Sequence, residues 1–192
     1  MPSLKVLDHR TVYNKTDVAL PSVQHSASYY VANVIAGRDP SHMRQNGQVV
    51  RKNKNSPVIH GHYDMRHAVF QELSRYVKTV IPVRHPALIA VSWKKRGPRQ
   101  WRTENFLVQW ERMHDMNGFH FCIEDKPFDE LERYLGAKVN RTTNVIHSIG
   151  EYNEKNNFVT AKDFLGKDWA LVEKALDMPL GRKFYADTLL RL

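Results

Sequence analysis

Cysteine is nearly absent: Cys122 is the only one in 192 residues, so no disulfide can form within the chain. It sits in the apolar run from Phe119 to Ile123, where a buried, inert thiol is expected, and this fits a reducing compartment. Long hydrophobic stretches are missing too. Nowhere do about 18 uncharged apolar residues run together, and the opening MPSLKVLDHRTVYNKTDVAL has no apolar core behind a basic start. These absences argue against a membrane span or a secretory leader and point to a cytoplasmic protein. Internal repeats and linker-like stretches are lacking, and 42% hydrophobic residues suffice for one sizeable core, so one domain over residues 1–192 is expected. The Gly-x-x-x-x-Gly-Lys-Ser/Thr loop of standard nucleotide-binding proteins is absent as well.

What the chain has in excess is positive charge. Its 29 Lys+Arg against 20 Asp+Glu give a formal charge of +9, which favours an anionic partner: a nucleotide, a sulfated or phosphorylated substrate, a nucleic acid or an acidic membrane. Most of the basic residues are spread along the chain and read as solvated faces. The exception is Trp93, Lys94, Lys95, Arg96, Arg99, Trp101 and Arg102, where aromatics interleave with cations. Such a stretch suits a nucleic-acid- or polyanion-binding surface, or a site for an acidic acceptor. The competing reading places Trp93 and Trp101 in the core, because tryptophan buries a large area.

Strand-then-helix alternation dominates the pattern. Val18 to Val23 reads as a short strand and Tyr29 to Ile35 as a buried helix; Val58 to His60 is a second strand, leading through Gly61-His62 into a helix with Met65, Val69, Leu73 and Tyr76 on one face. Val77 to Val83 is a third strand by its β-branched content, and Pro86 stands where the next helix begins. A helix from about Thr103 to Met116 stops at Asn117-Gly118, Phe119 to Ile123 reads as a fourth strand, and Asp129 to Leu135 is a helix closed by Gly136. Residues 37–57 are polar, basic and without sustained period, and read as a mobile loop suited to a substrate lid. A helical cover spans Ala161 to Leu176. The pattern implies an α/β three-layer sandwich, with a central parallel sheet flanked by helices on both faces.

Ligands of such sheets bind beyond the carboxyl ends of the strands. In PSVQHSAS, Ser26, Ala27 and Ser28 stand just before a helix, where unsatisfied N–H groups favour a phosphate, although serine there is also an ordinary helix cap. Arg84 leaves the third strand, and Ser92 follows it by eight residues on the next helix. An arginine so placed can grip a phosphate through two N–H bonds, with the serine hydroxyl closing on the same group; the plain alternative is a surface arginine and a helix serine.

VIPVRHPALIAVSW resembles the 3′-phosphate motif of sulfotransferases: a strand followed by Arg, a Pro two positions later and Ser at the same offset. PSVQHSASYYVAN is similar to that family's 5′-phosphosulfate loop, with His25, Ser26, Ala27, Ser28, Tyr29 and Tyr30 in the places of Lys/Arg-Ser-Gly-Thr-Thr-Trp. SPVIHGHYD resembles the segment whose strand ends in the catalytic base, and His62 falls at that position. FCIEDKPFDELERYLG resembles the acidic segment and Leu-Gly helix that follow, so the likeness covers roughly residues 17 to 139. The chain departs from the family where His25 replaces the lysine and Ala27 the glycine. The family's C-terminal Arg-Lys-Gly contact has no clear match, Arg141 and Arg182-Lys183 being the nearest basic residues.

The resemblance implies a single sulfotransferase-like domain with a P-loop nucleotide-hydrolase-like fold. It implies an enzyme that moves a sulfuryl group from 3′-phosphoadenosine 5′-phosphosulfate (PAPS) to a hydroxyl or amine of a small-molecule or glycan acceptor, releasing 3′-phosphoadenosine 5′-phosphate (PAP). His62 and His25 would be catalytic, His62 as the base and His25 on the departing phosphate. His25, Ser26, Ala27, Ser28, Tyr29, Arg84 and Ser92 would hold the donor, with no metal required. An imidazole suits the base because its ordinary pKa of about 6.5 leaves it neutral near pH 7. Two further readings compete. His60, His62, Asp64 and His67 resemble, incompletely, the ligand set of His/Asp metal-dependent hydrolases, with Met65 where that pattern has histidine. A nucleotide kinase would share the fold, but the chain offers no loop lysine and no convincing magnesium aspartate after a strand.

Overall fold

The computed structural model describes residues 17–23, 26–43, 49–50, 56–95, 103–141 and 160–186, and of residues 49–50, 63–67 and 103–105 the backbone alone. The runs VALPS, VIHGH and KTVIPV form the inner strands β1 (Val18–Ser22), β4 (Val58–His62) and β5 (Lys78–Val83). Every residue of β1 is buried, as expected of a parallel strand covered on both faces. With β2 (Ser41–Met43), β3 (Val49–Val50) and β6 (Phe119–Cys122) they make one sheet in the order β3-β2-β4-β1-β5-β6. Five of these strands run parallel, and the two-residue β3 is antiparallel at the edge beyond β2.

Alternation along β1 divides the interior into two cores. Val18 and Leu20 pack with Tyr30, Val31 and Val34 of α1 (Ser28–Ala36) and Leu131 of α5 (Phe128–Leu135). Ala19 faces the opposite core, which gathers Phe70 of α2 (Tyr63–Leu73), Ile89 of α3 (Pro86–Lys95) and Trp110 of α4 (Thr103–His114). The same core takes in α6 (Ala161–Leu165), α7 (Trp169–Asp177) and α8 (Pro179–Tyr185). This follows from right-handed crossovers: α1 carries the chain from β1 towards β2, whereas α2 carries it the other way, from β4 past β1 to β5, so the two helices lie on opposite faces.

The ladders flanking β1 are unequal. Five residue pairs join it to β4, from Val18↔Val58 to Ser22↔His62, but only Val18↔Lys78 and Ala19↔Thr79 join it to β5. Beyond Ala19 no further residue pairs join β1 to β5, although the two strands stay side by side towards their carboxyl ends. Pro21 of β1 and Pro82 of β5 lie in this stretch and have no N–H to give to a ladder.

Three expectations need correction. Residues 37–57 do not form one continuous loop: Ser41–Met43 and Val49–Val50 pair as an edge hairpin, too short for any period to show. Residues 44–48 and 51–55, which the lid reading would use, lie outside the described residues. The second strand does not stop at His60: Gly61 and His62 continue β4, which passes directly into α2. The expected helix from Ala161 to Leu176 is broken at Gly166, whose φ of 57° and ψ of −125° favour glycine, and a 3-10 turn (Gly166–Asp168) separates α6 from α7. Trp110 ties this cover down, its indole N–H donating to Ala175 O at 2.9 Å. No described helix is long and apolar enough to cross a membrane.

Helix α8 passes so close to the end of α7 that a Cβ at Gly181 would stand 2.3 Å from Ala175 O and 2.4 Å from Leu176 O. Gly181→Ala is therefore expected to destabilise the fold by about 1–3 kcal/mol, because neither backbone carbonyl can yield cheaply. A lower urea midpoint at unchanged slope checks this.

Candidate functional site

The loop between β1 and α1 is a tight turn. The Ser26 hydroxyl donates to Val23 O at 2.8 Å, and the Ser26 backbone N–H reaches the same carbonyl at 3.2 Å. Ala27 then takes a left-handed conformation, φ 62° and ψ 33°, and α1 begins at Ser28. The first turn of α1 carries no acidic residue, so its leading N–H groups and helix dipole present positive potential at the sheet edge. Ser26 and Ser28 are buried, while Tyr29 is 45% exposed and turns its phenol to His42 Nε2 at 2.8 Å. His25 lies outside the described residues.

Beside this turn, β2, β4 and β1 bring three histidines together. Register sets His42 against His60 and Ser22 against His62, and alternation puts all four on the α1 face. Ser22 Oγ is 2.9 Å from His60 Nε2 and 3.4 Å from His62 Nδ1. The His60 and His62 rings stand perpendicular with centroids 4.9 Å apart, and His42 and Tyr29 lie edge-on or tilted to their neighbours at 5.5–5.7 Å. His60 is buried and His62 half-buried, which places the expected base at the accessible end of the cluster. Sequence reasoning took His60 only as a metal ligand and missed His42. The signal available was the alternation of His60 and His62 along one strand.

On the other side of β1, Arg84 follows β5 and is 8% exposed. Its surroundings centre on Glu124, just past β6. The Glu124 carboxylate accepts from His85 N–H at 3.0 Å, from the Tyr185 hydroxyl at 2.9 Å and from the Cys122 thiol at 3.5 Å. Burial raises the Glu124 pKa, while the His85 N–H, the Tyr185 hydroxyl and the nearby Arg84 charge pull it down. Burial, and then the Glu124 charge, push Cys122 up to about 12, so the thiol is protonated at neutral pH and is no nucleophile. The His85 ring caps α3 by accepting the Ala87 N–H at Nδ1 and packs edge-on against Tyr185, centroids 4.9 Å apart. Ser92 lies on α3, half-buried, about 9 Å further along the helix axis than Pro86.

Other basic candidates are engaged elsewhere. Arg141 pairs with Asp129 and Glu132, and Glu132 is held down to about 2 by Lys138, Arg141 and the Val139 N–H. Arg182 pairs with Asp177. Trp93 is buried against Phe106, and Lys94 binds Asp168 and Leu165 O, so this part of the basic aromatic stretch is core and helix cover. Arg96, Arg99, Trp101 and Arg102 lie outside the described residues, as do the side chains of Asp64 and His67. Among the described residues, no group of three or more His, Cys, Asp or Glu side chains is placed to hold a metal ion.

Comparison with family models, curated proteins and solved structures returned no match to this chain.

Two consequences can be measured. Burial lowers the His85 pKa to about 4 from its ordinary 6.5. Between those values the unfolded chain binds a proton that the folded chain refuses, so stability falls as pH drops from about 6.5 to 4, by up to about 3 kcal/mol from this group. Glu124, with its raised pKa, acts in the opposite sense, so the His85 share is read from a comparison: His85→Asn keeps a helix-capping oxygen and should lose less stability than wild type over this window in urea titrations. Ala27→Gly, in turn, relieves a left-handed alanine and should raise the thermal midpoint, with a gain of up to about 1 kcal/mol.

Proposed function

We propose that this chain is a sulfotransferase of P-loop-like fold, which transfers a sulfuryl group from PAPS to an acceptor hydroxyl or amine and releases PAP. The observation that carries the reading is the shared position of three sequence motifs, namely the turn after β1, His62 at the end of β4 and Arg84 after β5. All three stand at the carboxyl edge of the neighbouring strands β4, β1 and β5. Helices leave these strands to opposite faces, the arrangement at which open parallel sheets bind ligands. Ala27 supports the same reading, since the family has glycine at that place and the backbone here is left-handed.

The residues fit a nucleotide carrying two phosphate groups. The N–H groups opening α1 suit the 5′-phosphate end, and Arg84 is a fixed cation for the 3′-phosphate, with Ser92 on the adjoining helix. Because the Ser26 hydroxyl donates its proton to Val23 O, this serine fixes the turn and leaves phosphate binding to the backbone N–H groups. When bound, PAPS supplies the sulfuryl group, which passes to the acceptor oxygen or nitrogen as its bond to the phosphate oxygen breaks. His62 takes the acceptor's proton as that new bond forms. His25, at the lysine position of the family loop, would offset negative charge on the departing phosphate.

The test is calorimetric titration with PAP, against ADP, which lacks the 3′-phosphate. Wild type should bind PAP with a micromolar Kd, about −8 kcal/mol, and Arg84→Ala should weaken binding about a hundredfold. His62→Ala should keep PAP affinity while lowering kcat by about 10²–10⁴ with any acceptor found. Failure of wild type to bind PAP would sink the reading in favour of a non-catalytic nucleic-acid- or polyanion-binding protein.

A further inference from the structure

Ser22, His60 and His62 form a hydrogen-bonded set of which the transfer reading uses only His62. Their meeting is written into the β1–β4 register: Ser22 lies beside His62 and diagonal to His60, all on the α1 face. Ser22 is fully buried and His60 nearly so, whereas His62 is half-buried.

A serine hydroxyl has one proton to give and can accept two. Between two neutral imidazoles, Ser22 can donate to at most one ring, and a ring that receives no proton from Ser22 must give its own N–H to it. In one arrangement His62 Nδ1–H donates to Ser22, Ser22 donates to His60 Nε2, and the lone pair of His62 resides on Nε2. In the reverse arrangement His62 Nε2 carries the proton and is of no use as a base. The contact lengths, 2.9 Å to His60 and 3.4 Å to His62, follow the order expected when the hydroxyl donates to His60, since O–H donors make the shorter bonds. In that arrangement His62 can take up a proton at Nε2 with no rearrangement behind it: Nδ1–H is already directed at Ser22, and its bond strengthens when the ring becomes cationic.

We propose that Ser22 and His60 are positioning residues that hold His62 in the Nδ1–H tautomer, so that Nε2 bears the lone pair that abstracts the acceptor proton. The catalytic part rests on His62 being the base of the proposed transfer, whereas the tautomer itself is a property of the resting protein and can be read without any substrate.

Long-range proton–nitrogen NMR of 15N-labelled protein at about pH 8, where an ordinary imidazole is neutral, reads it directly. The His62 signals are assigned by their loss in His62→Asn. The expected result is Nδ1 protonated in wild type, Nε2 protonated in Ser22→Ala, and the wild-type form restored in Ser22→Thr, which keeps the hydroxyl. With an acceptor in hand, Ser22→Ala should lower kcat about tenfold at little-changed KM, and Ser22→Thr should recover it. A wild-type His62 protonated at Nε2, or a tautomer indifferent to Ser22→Ala, overturns the proposal. Should Ser22→Ala fail to fold, the wild-type spectrum decides alone. An Nδ1–H tautomer in a protein that ignores PAP would uphold the positioning set and sink the transfer reading, while PAP binding with the opposite tautomer would do the reverse.

Discussion

The carboxyl edge of this molecule depends on how β1 is held. Full pairing with β4 fixes Ser22 alongside His62, and β5, joined to β1 by two residue pairs, brings Arg84 to the same edge. Both follow from one strand buried on both faces, which leaves the side chains of a single residue at its end, Ser22, to serve the neighbouring strand. A shift of one residue in the β1–β4 ladder would turn Ser22 to the opposite core and leave the two histidines facing an apolar side chain. Because each face of β1 is covered by its own core, such a slip would also exchange buried residues on both sides, and the register is held far more firmly than the hydrogen bonds at its end could hold it.

The two sides of β1 solve the problem of buried polarity differently. On the β4 side the network is built of imidazoles, a serine and a phenol joined by hydrogen bonds. On the β6 side the network centres on a carboxylate with three donors, and its buried position beside Arg84 balances a cation whose desolvation would otherwise be costly. The β6 side thus sets a carboxylate near a cation, and the β4 side gathers groups that can both give and accept a proton. This division suits a site that must grip an anion on one flank and move a proton on the other.

Much of this was legible in the chain. The β-branched run before Arg84 and the proline at the start of α3 mark a strand-to-helix unit, and the strand-helix alternation implies the parallel sheet. The edge hairpin was hidden because three residues and two residues are too few to display a period, and His42 went unnoticed with it. The spread of helices at the end of the chain turned on Gly166, a single residue inside an otherwise periodic stretch, although Pro179 was a usable start signal for α8. In the site, local motifs announced the turn after β1, His62 and Arg84. The contacts that organise them, Ser22 with His60 and Glu124 with Tyr185, join residues far apart in the chain, and only the folded register brings them together.

Tyr185 donates to Glu124, and Glu124 holds the backbone N–H of the residue after Arg84, so the last described helix is bonded to the arginine flank of the sheet edge. During synthesis β1, β4, β5 and β6 all emerge before that helix, and a nascent chain can assemble its sheet while the carboxylate still lacks its phenol partner. The arginine flank therefore gains its phenol after Ser22, His60 and His62 have all left the ribosome.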